Sequence, residues 1–224
     1  MKKITLLLAV LCFASSGATA QFARGETPPQ LIRGNLLLSV TSTIALDGAW
    51  GSELMSLGFS NTKYKYGSDP AEDAYKCTHY NLLPRAGYFV IDNMAAGIEV
   101  ILSGYKEKDA GDYDNWSESM VGIGPFVRYY YPMEKFYPFA EVEVLFGSEK
   151  SGYNDNEYKS SLFLLGAYLG VAFPLGDKVT FDVEIGYANA TLTHKGSGIE
   201  DLDSKEITGG IVIKGGFSVY LPVK

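Results

Sequence analysis

The sequence predicts an all-β protein, an eight-stranded antiparallel up-and-down transmembrane β-barrel. Three observations carry that expectation. The stretch Ser119–Phe146 alternates with a period of two, and one of its faces holds no charge over its whole length. No run of eighteen apolar residues follows the N-terminal twenty. A membrane-bound mature chain therefore has to cross as a closed barrel, the other structure that satisfies its own backbone in lipid. Tight turns also alternate with longer polar segments, as in barrels with short inner turns and long outer loops.

In the central stretch, Val121, Ile123, Pro125, Val127, Tyr129 and Tyr131 share one face, and Met120, Gly122, Gly124, Phe126, Arg128 and Tyr130 the other. After the link Pro-Met-Glu-Lys the split repeats, with Phe136, Pro138, Ala140, Val142, Val144 and Phe146 on one face and Glu141 and Glu143 opposite. A period of two is the signature of strands, and the short link makes a hairpin. A soluble sheet turns its charged face to water. Here the chargeless face is the one expected to meet lipid.

Before this hairpin, residues 1–20 read as an export signal: Lys2 and Lys3, an apolar run from Ile4 to Ala14, and Ala18-Thr19-Ala20 as the cleavage site. Gln21–Gly34, with two prolines and no period, reads as a periplasmic tether, and 35–224 as the barrel. Asn35–Thr43 is the expected first strand. Leu54–Tyr66 is either its upward extension or part of a long outer loop. Tyr80–Val90 and Ala95–Tyr105 flank the turn Ile91–Met94. Leu162–Phe173 and Val179–Thr191 flank Gly176-Asp177-Lys178, and Ile207–Leu221 closes the chain. Lys106–Trp116, Ser148–Tyr158 and Thr193–Lys205 read as polar outer loops. Direction fixes the count: the strand from Tyr80 runs down to a short turn, so an odd number precedes it, and one gives eight.

Aromatics fall at both ends of the chargeless face. Tyr88, Tyr129, Tyr131, Phe136, Phe173 and Phe181 flank the tight turns, and Tyr80, Phe146, Phe163 and Tyr187 lie near the far rim. Two such girdles mark the two interfaces of a bilayer.

The charges of the regular strands are Arg85, Glu99, Arg128, Glu141, Glu143, Asp182, Glu184 and Lys214. By parity all eight lie on the face opposite the apolar band. Placing Arg or Lys on the lipid side at mid-depth costs about 2–4 kcal/mol, so the shared side is meaningful. An eight-stranded barrel is narrow enough for side chains to fill. These residues are expected to form an ion-pair network packing the lumen. Gly97, Gly122, Gly124, Gly166, Gly170, Gly186, Gly210 and Gly216 share that face and leave room for large neighbours.

Removing Lys2 and Lys3 from 19 basic residues leaves 17 against 26 acidic, a net charge of −9. That excludes nucleic acid as a partner class. Cys77 is the only cysteine past the signal, so no internal disulfide is available. The pairs Glu141/Glu143 and Asp182/Glu184 have the spacing of acid/base carboxylates, but inward charges are the norm for such a lumen. No metal cluster or phosphate loop is evident: Gly-Ile-Gly-Pro-Phe from Gly122 is a strand, not a nucleotide-binding turn. His79 and His194 map near the outer rim, where a lipid-modifying hydrolase would place a Ser-His-acid set. The expectation is a non-enzymatic integral barrel without catalytic residues, metal or cofactor, serving envelope structure or surface interaction. A narrow solute pore and a rim hydrolase are the alternatives.

Leu82–Gly97 (LLPRAGYFVIDNMAAG) and Gly122–Pro132 (GIGPFVRYYYP) resemble the small outer-membrane β-barrel proteins, often labelled porin-like, of Bacteroidetes-type bacteria, within the eight-stranded outer-membrane barrel superfamily. The resemblance runs from about Asn35 to the C-terminus. It implies a Gram-negative outer-membrane location and a monomer folded into lipid by the barrel assembly machinery, with outer loops open to an extracellular ligand. Phe217, Val219 and Leu221 give the expected closing alternation, but Pro222-Val223-Lys224 departs from the usual aromatic end.

Overall fold

The computed structural model describes residues 27–45, 57–64, 72–109, 115–153, 156–194 and 204–223. The export signal lies outside the described residues. The strands are β1 (Leu36–Ala45), β2 (Leu57–Tyr64), β3 (Glu72–Ile91), β4 (Met94–Asp109), β5 (Asn115–Tyr130), β6 (Tyr137–Tyr153), β7 (Asn156–Pro174), β8 (Val179–His194) and β9 (Ser204–Leu221). Each pairs antiparallel with its chain neighbour from β2 through β9, and β1 pairs with both β9 and β3, which closes the sheet.

Among the described residues, nine strand segments make eight staves. β1 pairs with β3 from Leu36↔Tyr88 to Thr41↔Leu83, and β2 takes over the same edge from Leu57↔Tyr80 to Tyr64↔Glu72. The segment near Leu54–Tyr66 is thus the upward extension of the first stave rather than outer loop.

The polar outer segments are shorter than their composition suggests. β6 and β7 stay paired up to Tyr153↔Asn156, so most of the expected loop Ser148–Tyr158 is strand. β4 runs to Asp109, β5 starts at Asn115, and β8 reaches His194. A tilted strand needs only about 9–11 residues to cross a bilayer, whereas β3 has 20 and β7 has 19. The surplus projects beyond the outer face. In water both faces can be polar, so the hydrophobic alternation fades while the pairing continues.

The other end is tight. β3 and β4 join through Asp92-Asn93, with Asn93 at φ 67°, a left-handed conformation that asparagine tolerates. The start of β1 and the end of β9 lie there too, with Leu36 opposite Leu221. Part of the presumed tether is folded onto this end. Pro29–Leu31 forms a 3-10 turn, and Gly34 at φ 98° turns the chain into β1. Leu31 is fully buried. Its carbonyl accepts from Asn93 N–H at 2.7 Å, and Asn35 Nδ2 donates to Pro29 O at 2.6 Å.

Burial is inverted relative to a soluble protein. Val121, Ile123, Val142, Ile185, Ile211 and Leu169 are exposed, Leu169 by 68%. Arg128, Glu99 and Asp182 are fully buried. Both aromatic girdles line the exposed wall in tilted ring pairs: Phe146 lies near Phe163 (5.4 Å between ring centroids) at the outer level, and Phe136 near Phe173 (6.5 Å) and Phe181 near Phe217 (5.3 Å) at the inner.

Candidate functional site: the lumen

Alternation sends every second residue inward, so the lumen is assembled in layers. At the inner end Leu31, Leu37, Phe89, Phe126, Tyr130, Phe139 and Tyr220 form a buried apolar plug. At the outer end Leu83, Ile101, Met120, Leu145, Leu162 and Leu164 form a second apolar layer. The charges lie between.

Arg85 projects from β3 and Arg128 from β5 into this middle layer. Arg128 donates from Nε to Glu141 Oε2 at 2.6 Å, from Nη1 to Asp182 Oδ2 at 2.7 Å, and from Nη2 to Glu184 Oε1 at 2.7 Å. Arg85 pairs with Glu99, with Glu184 at 3.0 Å, with Glu141 at 3.0 Å and with Glu143 at 3.8 Å. Lys214 Nζ lies 2.6 Å from Glu143 and 3.7 Å from Glu99. Glu184, directly opposite Lys214 across β8 and β9, is engaged by the two arginines instead. Each of the eight charges is at most 4% exposed, and together they form one network of three cations and five carboxylates. The planar guanidinium fork suits this work, since several carboxylates can be held at once.

Uncharged groups complete the layer. Tyr168 O–H donates to Glu143 at 2.7 Å, Thr180 to Asp182 at 2.6 Å, and Ser218 to Asp182 at 2.7 Å. Arg128 lies 4.0 Å from the Phe139 ring centroid and Lys214 Nζ 3.9 Å from that of Tyr168, both within cation–π range. Some inner-face glycines make room for rings, whereas at Gly97, Gly124 and Gly216 an added Cβ would first meet a backbone carbonyl of the neighbouring strand. A side chain at Gly170 would meet the Phe139 ring, and one at Gly166 or Gly186 would meet Tyr168. Sequence reasoning located the charges but missed both apolar layers. Their signal was the inward parity of Leu83, Ile101, Met120, Leu145, Leu162 and Leu164.

The arrangement is poor at chemistry and good at filling space. Glu141, Glu143, Asp182 and Glu184 are each held by a cation and buried from any substrate, so their spacing along the strands does not make an acid/base pair. Oxygens of Glu99, Glu141 and Glu143 lie within 4.8 Å of one another, a spacing that a metal ion could share. Arg85 and Lys214 supply the positive charge there.

Above the network is a cavity of about 300 Å³, walled by Leu83, Ile101, Met120, Leu164 and Val212, floored by Glu143, Tyr168 and Lys214, and bordered outward by His79, Trp116 and Glu118. Asn81 Oδ1 is buried on its wall with no hydrogen-bond partner among the described residues. The two rim histidines do not meet: His79 is on β3 and His194 on β8. Ser160 lies 2.6 Å from His194 Nδ1, and Glu206 lies 3.9 Å from Nε2. Ser160 is only 3% exposed, which closes its hydroxyl to a lipid substrate.

Several solved structures show distant similarity to the chain. OprG from Pseudomonas aeruginosa shares 11% identity, with 87% of this chain and 99% of that one covered and a TM-score of 0.41. Neisserial surface protein A shares 13%, with 83% and 95% covered and a TM-score of 0.39. Ail of Yersinia pestis shares 11%, with 85% and 100% covered and a TM-score of 0.37. No curated protein matches the chain significantly. Residues 34–214 match the family model described as outer membrane protein beta-barrel domain. By that match, over most of its length, the chain belongs to the outer membrane protein β-barrel domain family.

Proposed function

We propose that this barrel is a closed, non-catalytic element of the Gram-negative outer membrane, braced through its lumen and turned outward through its strand extensions. One observation carries the reading. Arg128 on β5 reaches Asp182 and Glu184 on β8, and Arg85 on β3 reaches Glu184 from the other side. These bridges cross the space that an ion would need, and apolar layers lie above and below them. The porin-like label then describes shape rather than conduction.

On this reading the chain is exported by residues 1–20 and inserted by the assembly machinery, with the outward row Phe217, Val219 and Leu221 as its closing signal. It works as a monomer, since one chain supplies every stave of the closed wall. The phrases Leu82–Gly97 and Gly122–Pro132 support placing it with the Bacteroidetes-type barrels. An extracellular ligand would meet the strand extensions and the cavity beneath them. The test is electrical. Protein folded into planar bilayers is expected to give no steady conductance under applied voltage, and reproducible unitary channels would contradict the reading.

A further inference from the structure

Toward the outer mouth of the lumen, the inward residues change from apolar to polar to acidic. On β3 they run Leu83, Asn81, His79, and on β4 Ile101, Ser103, Tyr105, Glu107, with Asn81 opposite Ser103 and His79 opposite Tyr105. On β5 Met120 is followed outward by Glu118, and on β6 Leu145 by Gly147 and Glu149. Glu206 on β9 has the inward parity of Val212. Among the described side chains, this face of the outer extensions carries Glu107, Glu118, Glu149 and Glu206 and no lysine or arginine. A space that is apolar below and anionic above matches one kind of small molecule.

Beneath these carboxylates lies the outer cavity of about 300 Å³. The charges of its floor are already paired: Lys214 Nζ is 2.6 Å from Glu143, and Tyr168 O–H donates to the same carboxylate at 2.7 Å. Two of the carboxylates above are engaged as well. Glu107 accepts from Tyr105 O–H and from Cys77, and Glu206 lies 3.9 Å from His194. Glu118 and Glu149 instead lean on each other, through a carboxyl–carboxyl hydrogen bond that exists only while they share a proton. Both are half-buried. Glu118, Trp116 and Tyr105 line the cavity, and Asn81 Oδ1 is buried on its wall as an acceptor with no partner among the described residues. An enclosed apolar space with a few convergent polar groups is the usual form of a small-molecule site.

We propose that the outer cavity binds a small organic cation, an amine with an apolar body, whose ammonium sits between Glu118 and Glu149 and whose body lies against the apolar wall below. An ammonium takes the place of the shared proton and lets both carboxylates keep their charge. The rings of Trp116 and Tyr105 favour the same sign, since aromatic faces attract cations. A neutral apolar ligand would cover the two acids without compensating their lost hydration. An anion would meet their repulsion, and the mature chain's net charge of −9 steers cations inward. The size of the space, at the small end of ligand pockets, suits a single ring with a short chain. The inference rests on the reading of this cavity as the place where an extracellular ligand is met, but not on closure of the lumen.

The experiment titrates the full mature chain, folded into phosphatidylcholine nanodiscs, with phenylbutylamine, phenylbutanol and phenylbutyrate. These probes share one body and differ in the charge of the head. Heat of binding is read by calorimetry, with empty nanodiscs subtracting partition into lipid. The amine is expected to bind saturably and at least tenfold more tightly than the alcohol, with the carboxylate weakest. E118Q/E149Q should bring the amine down to the affinity of the alcohol. S103W, which fills the cavity, should remove binding of both, and K178Q at the inner turn should change neither. Folding of each variant is checked by its heat-dependent gel shift. If a variant fails to fold, a salt series on wild type decides: the amine's advantage should shrink as salt rises while the alcohol's affinity holds. Equal affinity for amine and alcohol, an advantage that survives in folded E118Q/E149Q or in high salt, amine binding that folded S103W leaves intact, or no saturable binding above empty nanodiscs would overturn the proposal. Failure of the closed-lumen reading shows in the bilayer recording instead, a readout this titration does not share.

Discussion

Arg128 shows most plainly how one residue organises the interior. It is fully buried and touches three carboxylates on two strands. Burying an ion is costly, and the cost is offset only while every partner is in place. Arg128→Met leaves Asp182 and Glu141 short of a counter-charge and should cost about 3–5 kcal/mol, read by urea unfolding of the folded barrel in detergent. Lys178→Met at an exposed turn should leave the midpoint nearly unchanged. Equal effects would show that the network carries no special weight. Outside the membrane, Glu149 on the outer extension of β6 tests electrostatics separately. Burial, with the Glu118 and Glu206 carboxylates nearby, pushes its carboxyl up to about 7 from an ordinary 4.5. The native state therefore holds a proton that the unfolded chain gives up between those values. The stabilisation from this group is full below about pH 4.5 and is lost as pH rises through 7. Glu149→Gln mimics the protonated form. Its melting temperature should match wild type near pH 5 and exceed it near pH 8, and a pH-independent difference would contradict this account.

Strands impose alternation, and alternation decides what each element can offer. β7 gives Gly166, Tyr168 and Gly170 to the lumen, where a neighbouring ring occupies the space beside each glycine. Gly170→Val would drive a side chain into the Phe139 ring and toward the Val183 carbonyl, which lies 2.8 Å from the new Cβ position. Phe139 supports Arg128, so the clash would reach the charge layer. The expected cost is about 1–3 kcal/mol, seen as a lower refolded fraction by heat-dependent gel shift. Leu169→Val on the lipid wall should not change that fraction, and parity between the two variants would argue against the packing described. The central hairpin was fully legible in sequence because both its faces are distinctive: one apolar throughout, the other with Arg128, Glu141 and Glu143. The outer extensions were not, because hydropathy no longer alternates there while the strand pairing continues. The first stave was obscured because β1 and β2 share it with residues 46–56 between them. The turn at Pro29–Leu31 was read as tether because two prolines look like linker, whereas Leu31 is apolar for a reason: it packs with Leu37, Phe89, Tyr130 and Tyr220.

At the scale of the molecule, lipid and lumen exchange the usual roles of surface and core. The exterior is apolar because its solvent is hydrocarbon. The interior is an ionic layer between two apolar ones because five carboxylates and three cations can be enclosed only together. The position of the charges was readable from parity alone, but their partners were not. Parity gives the side of a strand, not which opposite strand a long side chain reaches. Lys214 with Glu143, and Arg128 with Asp182, are contacts across the lumen that no local spacing encodes.

The most direct test asks which solvent each face meets. Nitroxide labels at single cysteines would be placed at Ile123 and Val142 on the outer wall and at Ser103 in the outer cavity, all in a Cys77→Ser background, with the barrel in lipid vesicles. The wall labels should collide with membrane-dissolved oxygen and be shielded from a water-soluble nickel complex, while the label at Ser103 should show the reverse preference. Wall labels that meet the nickel complex more readily than oxygen would contradict the placement of the apolar face in lipid.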